Sequence, residues 1–230
     1  MNIDAMLIST DEPQLDRCLK SIQMQTVPFA NFIHVNNVVP ECDAFNKGLE
    51  QVTSDWFMHI AGDFVLYNEA VRIASSYIEP RESRKLCAFH FGLHDTFLDC
   101  TIGFCSVLRA SVYKPLRYGD KLSNDRNANY DLRKLGWRLK KQLYIILGTH
   151  FDSPDEFQIF RRFYTQWIKY PNNAYLKNRL TELREKTENP LYSLALKAGQ
   201  FADQKRIYPG SHNLDFDRQL FEEFKRVENN

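Results

Sequence analysis

The sequence lacks a charge excess of either sign, because 30 lysines and arginines are balanced by 29 aspartates and glutamates to a formal net charge of +1. This balance removes the overall electrostatic case for binding nucleic acid. Cysteine is scarce and odd in number, and no C-x-x-C spacing occurs among Cys18, Cys42, Cys87, Cys100 and Cys105. A disulfide framework or a structural zinc site is therefore not expected, and a reducing cytoplasm is the predicted location.

Long apolar runs are also missing. No stretch approaches the roughly 18 residues that a membrane span requires, and the first ten residues are too short and too acidic for a signal peptide. A hydrophobic fraction of 43% with a mean hydropathy of -0.46 is typical of a soluble globular protein. We therefore expect a soluble globular protein with a sizeable core. A peripheral contact with the inner face of a membrane is left open.

What the sequence does contain is a regular alternation of short apolar strands and amphipathic helices. Apolar strands are predicted at 5–9, 31–35 and 56–60, and helices at 13–25, 43–52 and 65–77, with Asp43 as the N-cap of the second helix. The order β-α-β-α-β-α is typical of an α/β fold with a doubly wound, mostly parallel sheet flanked by helices.

The remainder of the chain divides in character near residue 153. Further strands are predicted at 86–91, 101–108 and 143–147, and a helix at 127–135 that Gly136 closes. Helices alone are predicted from 154 onward, among them helices at 173–186 and 190–205, so we expect a domain at 1–152 and a helical C-terminal extension at 153–230 that packs on it. The aromatic and basic helix at 154–170 either packs its aromatic stripe onto the domain at 1–152, which we favour, or lies on a membrane.

Three polar residues follow predicted strands or open a helix, where ligands of α/β sheets bind. Asp63 follows the strand at 56–60 in A-G-D-F, Asp125 lies in the loop S-N-D-R, and His150 lies in G-T-H-F-D. A carboxylate and an imidazole can support a divalent ion, and a loop carboxylate can act as a general base. Each residue alone is as well explained by helix capping or a backbone hydrogen bond, so their joint placement is what indicates chemistry.

Two short motifs stand out in the first half of the chain, L-D-R-C-L-K-S-I-Q-M-Q-T at 15–26 and A-F-N-K-G-L at 44–49. Both resemble motifs of family 2 glycosyltransferases of the GT-A fold, the first most closely, and the resemblance covers about the first 150 residues. The acidic pair that ends the family's second strand falls on Asn36-Asn37, and its Asp-x-Asp motif falls on Ala61-Gly62-Asp63. Asp125 precedes Gly136 by eleven residues and His150 follows it by fourteen, as the family's base and histidine do.

The resemblance implies an inverting transfer of a sugar from a nucleotide-sugar donor, with a UDP-sugar as the first expectation, to a saccharide or lipid-linked saccharide acceptor. It implies that Asp125 is the catalytic base and that Asp63 and His150 hold Mn²⁺ or Mg²⁺. It further implies a role in polysaccharide biosynthesis and a donor site formed by Thr10, Asn36, Asn37, Asn46, Ala61, Gly62 and Asp63.

Two departures keep an alternative open. Ala61 stands where the family has the first acid of its metal motif, and amides replace the acids at Asn36 and Asn37. A degenerate module that binds a nucleotide-sugar or glycan without turnover is therefore the second hypothesis. Asp95 and Asp99 are noted only as candidates for lining an acceptor pocket. A nucleotidyltransferase is disfavoured because no glycine- and lysine-rich loop follows the first strand, and the oligomeric state is left open.

Overall fold

A computed structural model describes residues 1–10, 12–81, 85–119, 124–151, 154–171, 173–208 and 213–228, without the side chains of 103, 104 and 124–126. These residues form two compact units. The first comprises the described residues up to Gly119 and those from Asn124 to Phe151, and the second comprises the described residues from Pro154 onward.

The first unit is an α/β layer structure. Its strands are β1 (Ile3–Ser9), β2 (Phe32–Asn36), β3 (Trp56–Ala61), β4 (Phe64–Leu66), β5 (Leu86–Asp95), β6 (Cys100–Arg109) and β7 (Arg138–His150). Its helices are α1 (Leu15–Gln23), α2 (Glu41–Gln51), α3 (Ala70–Ile78), α4 (Ala110–Tyr113) and α5 (Asn124–Lys134).

The strands form a mixed sheet in the order β2-β1-β3-β6-β5-β7-β4. β1 pairs in parallel with β2 and β3, and β5 in parallel with β7, whereas β6 runs antiparallel to β3 and β5 and β4 antiparallel to β7. The parallel arrangement predicted from the first half of the chain is therefore found there. β3 is the third strand in this order and β4 is the last, yet only two residues separate them along the chain. The sheet must therefore curl until its β4 edge returns towards β3.

Alternate side chains of β1 supply two cores on opposite faces of the sheet, as the period of two in a strand requires. Ala5 and Leu7 pack with residues of α1 and α3, and Met6 packs with residues of α2, α4 and α5. Helices therefore cover both faces, and the predicted doubly wound α/β class is confirmed.

Several predicted boundaries are wrong in informative ways. The helix predicted at 65–77 begins with a strand, β4, and only Ala70–Ile78 is helical. α2 begins at Glu41 after Pro40, without a side-chain cap, so Asp43 lies inside its first turn rather than at the N-cap. Asp125 belongs to the first turn of α5 rather than to a loop, and β7 starts at Arg138, five residues before the predicted strand.

The second unit consists of α6 (Glu156–Lys169), α7 (Ala174–Lys186), α8 (Pro190–Lys205) and α9 (Leu214–Glu228). The aromatic stripe of α6 is buried, since Phe160, Phe163 and Tyr164 are at most 1% exposed. Phe160 contacts Phe201 of α8 and Phe224 of α9 through ring pairs with centroids 6.2 and 4.9 Å apart. Helices of the second unit therefore bury this stripe, and its predicted packing on the first domain stays a prediction. No described helix is long and apolar enough to cross a membrane.

Candidate active site

Polar residues gather where β1, β2 and β3 end side by side. The register places Ser9 beside Asn36, and Ile8 beside both Val35 and Ala61, so the three carboxyl ends share one edge. Ligands of open α/β sheets bind at such an edge, where the connections leave a crevice.

The central feature of this edge is a histidine held between two carboxylates. His150 Nε2 lies 3.2 Å from Asp63 Oδ2, and His150 Nδ1 lies 2.9 Å from Asp95 Oδ2. The Asp95 side chain is fully buried, whereas those of His150 and Asp63 remain 14% and 17% exposed. We call these three residues the Asp–His–Asp line. Its exposed end is Asp63, and its buried end is Asp95.

Strand pairing fixes this line. β7 lies between β4 and β5, and the registers place His150 opposite both Phe64 and Asp95. The backbone then turns sharply at Phe151, which has a φ of 61° and donates its N–H to the Asp63 carbonyl at 3.3 Å. Asp95 also accepts a hydrogen bond of 2.7 Å from the Leu98 N–H. The orientation of the imidazole is therefore set by backbone geometry on both sides.

The protonation of the imidazole decides what the line can bind. A neutral imidazole carries one N–H donor and one acceptor nitrogen, whereas an ionised carboxylate only accepts. If Nδ1 donates to Asp95, Nε2 can face Asp63 favourably only when Nε2 is also protonated or when a cation lies between them. Asp63 and Nε2 are consequently arranged to share either a proton or a metal ion.

A third acidic side chain, Glu12, lies against the turn that carries Asp63. Its carboxylate accepts hydrogen bonds from the Thr10 N–H at 2.7 Å and the Thr10 hydroxyl at 3.1 Å. A Cβ added to Gly62 would lie 2.5 Å from Glu12 Oε2, so the glycine makes room for this carboxylate. Burial, followed by the negative charges of Asp63 and Glu12, raises the pKa of the Cys18 thiol to about 12.

The end of β2 is organised by a small hydrogen-bond relay. The Ser9 hydroxyl donates to Asn36 Oδ1 at 3.0 Å and lies 2.7 Å from His34 Nε2, which must therefore carry the hydrogen. Burial lowers the pKa of His34, and the charge of Glu12 opposes this only in part, so the ring is neutral at pH 7. Asn37 follows with a φ of 54° and donates its N–H to the Ser9 carbonyl at 3.0 Å.

Two predicted site residues, Asn46 and Asp125, are not seen at this edge of the sheet. Both ends of the Asn46 amide bond the backbone of Tyr118, at 2.8 Å each, so this side chain holds the segment that leads towards α5. Asp125 lies in the first turn of α5, but its side chain is outside the described part of the structure. The structure thus brings together Thr10, Asn36, Asn37, Ala61, Gly62, Asp63 and His150 along one edge.

The donor set suits a hard divalent ion bound together with a ligand. Among the described residues no group of three or more His, Cys, Asp or Glu side chains could enclose a metal. Mg²⁺ and Mn²⁺ in nucleotide sites are commonly held by one or two protein groups together with phosphate oxygens. A metal-ligating histidine usually donates its other N–H to a carboxylate, as His150 can to Asp95. Asp63 and His150 therefore fit the predicted Mn²⁺ or Mg²⁺.

Three side chains at this edge, Asp95, Glu12 and His34, are not predicted as donor-site, metal or catalytic residues from the sequence. Asp95 was noted only as a possible acceptor contact, while Glu12 and His34 were not noted at all. Asp95 ends a strand, as Asp63 follows one, and this shared position is the signal that could have found it. Glu12 and His34 act through neighbours that are distant in sequence, such as Gly62 and Ser9, so no local pattern marks them.

Comparisons with protein-family models and with curated proteins give no match. Among solved structures, TarS from S. aureus superposes with a TM-score of 0.53 and 12% identity over 79% of this chain and 42% of its own. TarS 1-349 in complex with UDP superposes with a TM-score of 0.55 and 12% identity, over 88% of this chain and 81% of its own. The mannosyltransferase PcManGT from Pyrobaculum calidifontis, in complex with GDP-Man and Mn²⁺, superposes with a TM-score of 0.55 and 10% identity. The superposition covers 90% of this chain and 71% of its own.

This chain thus spans less than half the length of the longer TarS chain that it matches. At 10–12% identity the similarity concerns the fold alone. The sheet order, the helices on both faces and these superpositions agree with the sequence motifs at 15–26 and 44–49. The chain therefore has the GT-A fold.

Proposed function

We propose that this protein transfers a sugar from a nucleotide-sugar donor to a saccharide or lipid-linked saccharide acceptor. The Asp–His–Asp line at the carboxyl edge of a GT-A sheet is the observation that carries the proposal, because a carboxylate and an imidazole that suit a cation lie where such folds bind ligands. We further propose that residues 1–152 form the catalytic domain and 153–230 a helical extension, in a cytoplasmic enzyme of polysaccharide biosynthesis.

Asp63 and His150 would hold the divalent ion, and Asp95 would orient the imidazole. When bound, such an ion supplies positive charge that neutralises the diphosphate of the leaving nucleotide. The surroundings of Asp63 are already negative, because the Glu12 carboxylate lies against the neighbouring Gly62. Without a cation, the carboxylates of Asp63 and Glu12 would repel a diphosphate, so donor binding is expected to depend on added metal.

Glu12 offers a reason why Ala61 need not abolish activity. The resemblance assigns an acid to position 61, and the structure instead places the Glu12 carboxylate over the neighbouring Gly62. A carboxylate from the β1–α1 connection would then supply negative charge that the motif on β3 has lost. Replacing Glu12 by Gln should weaken metal-dependent donor binding while keeping the hydrogen bond from the Thr10 amide.

Asp125 is proposed as the general base of an inverting transfer. The acceptor oxygen attacks the anomeric carbon, a new C–O bond forms, and the bond to the nucleoside diphosphate breaks. The hydroxyl proton goes to the Asp125 carboxylate, and the leaving group departs with its electron pair. Much of the reduction in the activation barrier comes from holding both substrates in line, because the reaction then no longer requires a bimolecular encounter.

The donor is proposed to be a UDP- or GDP-sugar. The structural neighbours were solved with UDP and with GDP-Man, and the end of β2 offers an amide, Asn36, whose oxygen is held by Ser9. The amide nitrogen of Asn36 is then the group left to meet a base, and it is a hydrogen-bond donor. Uracil and guanine both carry carbonyl oxygens that could accept.

A thermal-shift panel of UDP-, GDP-, dTDP- and CMP-sugars, with and without Mn²⁺, tests the donor site. A ligand at about 100 times its dissociation constant adds about 2.7 kcal/mol to the free energy of unfolding. For a chain of this size the melting temperature should rise by roughly 5–11 °C. A shift with one nucleotide class that requires Mn²⁺ supports the proposal, and the lack of any shift with any donor contradicts it.

The second candidate, a module that binds without turnover, is favoured by one observation, the missing acid at Ala61. Transfer and donor hydrolysis assays distinguish the two. In an active enzyme, Asp125→Asn should abolish transfer while leaving the Mn²⁺-dependent thermal shift nearly unchanged. Donor binding without any transfer or hydrolysis by the unaltered protein would favour the binding module, and full transfer by Asp125→Asn would remove Asp125 as the base.

A further inference from the structure

A cluster of exposed basic residues surrounds the turn between α5 and β7. Arg133 and Lys134 end the helix, and Arg138, Lys140 and Lys141 begin the strand. All five are exposed, and between them the Leu135 side chain is 71% exposed. We call these six residues the basic turn.

The charge of this segment departs from that of the chain. Residues 127–149 contain the five basic residues of the basic turn against a single acidic one, Asp131, whereas the whole chain has a net charge of +1. The salt bridges of the described residues include none of the five. Lys134 instead lies over the ring of Tyr130, itself 60% exposed, at 4.2 Å from its centroid.

Folding explains part of this segment but not Leu135. Gly136, with a φ of 83°, donates its N–H to Arg133 at 3.0 Å, and Trp137 donates to Leu132 at 3.0 Å, which together form a Schellman cap. The apolar contact that accompanies such caps is made by Leu132 and Trp137, which share a core cluster. Leu135 takes no part in it and points outward, although a polar residue would serve the cap equally well.

The lysines of β7 have one structural explanation, which does not extend to the helix. The register pairs residues 138–142 with β5, and β4 pairs only with residues 148–150, so the strand has an unpaired side there among the described residues. Lysines on such an edge prevent pairing with other chains. That reason covers Lys140 and Lys141, and the helix dipole favours Arg133 and Lys134 in the last turn of α5. Neither reason accounts for the exposed Leu135 side chain.

We propose that the basic turn binds the surface of an anionic lipid membrane, with Leu135 entering the headgroup region. Clustered Lys and Arg side chains are attracted to anionic headgroups, and apolar side chains beside them add affinity by leaving water. A soluble polyanion would satisfy the charges but would give an aliphatic side chain no apolar surroundings. This surface is separate from the Asp–His–Asp line, so the proposal does not depend on the proposed function.

Sedimentation with lipid vesicles tests the proposal on the full chain. We expect binding to vesicles of phosphatidylcholine with 30% phosphatidylglycerol, no binding to pure phosphatidylcholine, and loss of binding at 1 M salt, where charges are screened within about 3 Å. Lys140→Gln with Lys141→Gln should weaken binding about 25-fold, at about fivefold per charge. The matched control, Lys20→Gln with Lys177→Gln, alters exposed lysines of α1 and α7 and should bind as the unaltered protein does.

Leu135→Ser separates a lipid surface from a general polyanion site. It should weaken vesicle binding about tenfold, since part of a leucine side chain no longer leaves water. Its thermal melt should be unchanged, because Leu135 is exposed. The proposal is overturned if anionic vesicles do not bind the unaltered protein, or if the variants of the basic turn bind vesicles as the control does. It is also overturned if polyphosphate binds the unaltered protein and Leu135→Ser equally while vesicles bind neither of them.

Discussion

Each end of the sheet in the first unit buries a carboxylate, and the two carboxylates differ in their hydrogen-bond partners. At the start of β1, Asp4 is fully buried and accepts hydrogen bonds from the Thr53 and Ser54 amides at 2.7 and 2.9 Å and from the Ser54 hydroxyl at 2.7 Å. The Asn31 amide adds a fourth at 3.0 Å. At the end of β5, Asp95 is equally buried but faces His150, which in turn faces Asp63.

This contrast separates a structural carboxylate from a chemical one. Neutral donors that cannot change their charge surround Asp4, so its negative charge fastens the connection before β3. Asp95 instead orders a group that can gain a proton or a metal ion at its other nitrogen. A buried acid therefore indicates function through the chemistry of its partner rather than through its burial.

The largest effect should follow from Asp63→Asn, which keeps the shape of the side chain and removes the charge that faces His150. We expect Mn²⁺-dependent nucleotide binding to weaken more than 100-fold, beyond the 10–100-fold that is typical of outer-shell partners. The melting temperature without ligands should change little, since the side chain is partly exposed. Isothermal titration with Mn²⁺ and the nucleotide measures the loss, and unaltered Mn²⁺ dependence would mean that the metal binds elsewhere.

Asp95→Asn should come next, because it removes the charge behind His150 and not a ligand. We expect Mn²⁺ affinity to fall 10–100-fold, as for other carboxylates that orient a ligating histidine. The hydrogen bond from the Leu98 amide can persist, since an amide oxygen also accepts. A loss of stability with unchanged Mn²⁺ affinity would show that Asp95 resembles Asp4 and has no positioning role.

Asp4→Asn should show the opposite pattern, with a loss of stability and no change at the site. An amide nitrogen would face donors that now bond a carboxylate, which costs about 2–3 kcal/mol in the free energy of unfolding. The melting temperature should fall by roughly 4–12 °C, while nucleotide and Mn²⁺ affinities stay the same. Weakened metal binding in this variant would break the distinction between the two ends.

The smallest effect concerns pH. Burial acts to raise the pKa of Asp4, but the hydrogen bonds from Ser54, Thr53 and Asn31 outweigh it, so the pKa lies below its ordinary value of 3.8. A lowered pKa in the folded state contributes stability above the unfolded pKa, and this contribution is lost as the pH falls through the folded pKa. In urea titrations, the stability difference between the unaltered protein and Asp4→Asn should be constant above about pH 5 and shrink below pH 3.8. A difference that grows as the pH falls below 3.8 would contradict this account.

The sequence predicted long, strongly patterned elements well. The bounds of α8, Pro190–Lys205, agree with the prediction, because Asn189 and Pro190 mark its start in the sequence and its side-chain cap forms. β4 was missed because three residues, F-V-L, offer too few positions to show a strand period, and their pairing with β7 is set by tertiary structure. β7 was predicted too short because its first half is an edge with basic residues that hide the apolar pattern.

At the site, the residues found from sequence are those whose position along the chain carries information. Asp63 and His150 directly follow apolar strands, and their spacing matched a known motif. Glu12 and Asp95 depend on which strand ends meet in the folded sheet, and the mixed pairing of β4, β5 and β7 is not encoded in any local window. The role of Asp125 stays a prediction, as do the acceptor and the inverting course.

The two-residue link between β3 and β4 makes the candidate site slow to open. Gly62 donates its N–H to Ile8 of β1 at 3.1 Å, and β4 is bonded along its whole length to β7, so Asp63 is anchored on both sides by sheet backbone. Moving the backbone of Asp63 away from β7 would require breaking these ladders together, which is a sub-global unfolding event rather than a loop motion. Amide protons of β4 and the end of β7 should therefore exchange with deuterated water at rates close to those of the sheet interior, with the backbone of Asp63 and His150 held in place before any substrate arrives.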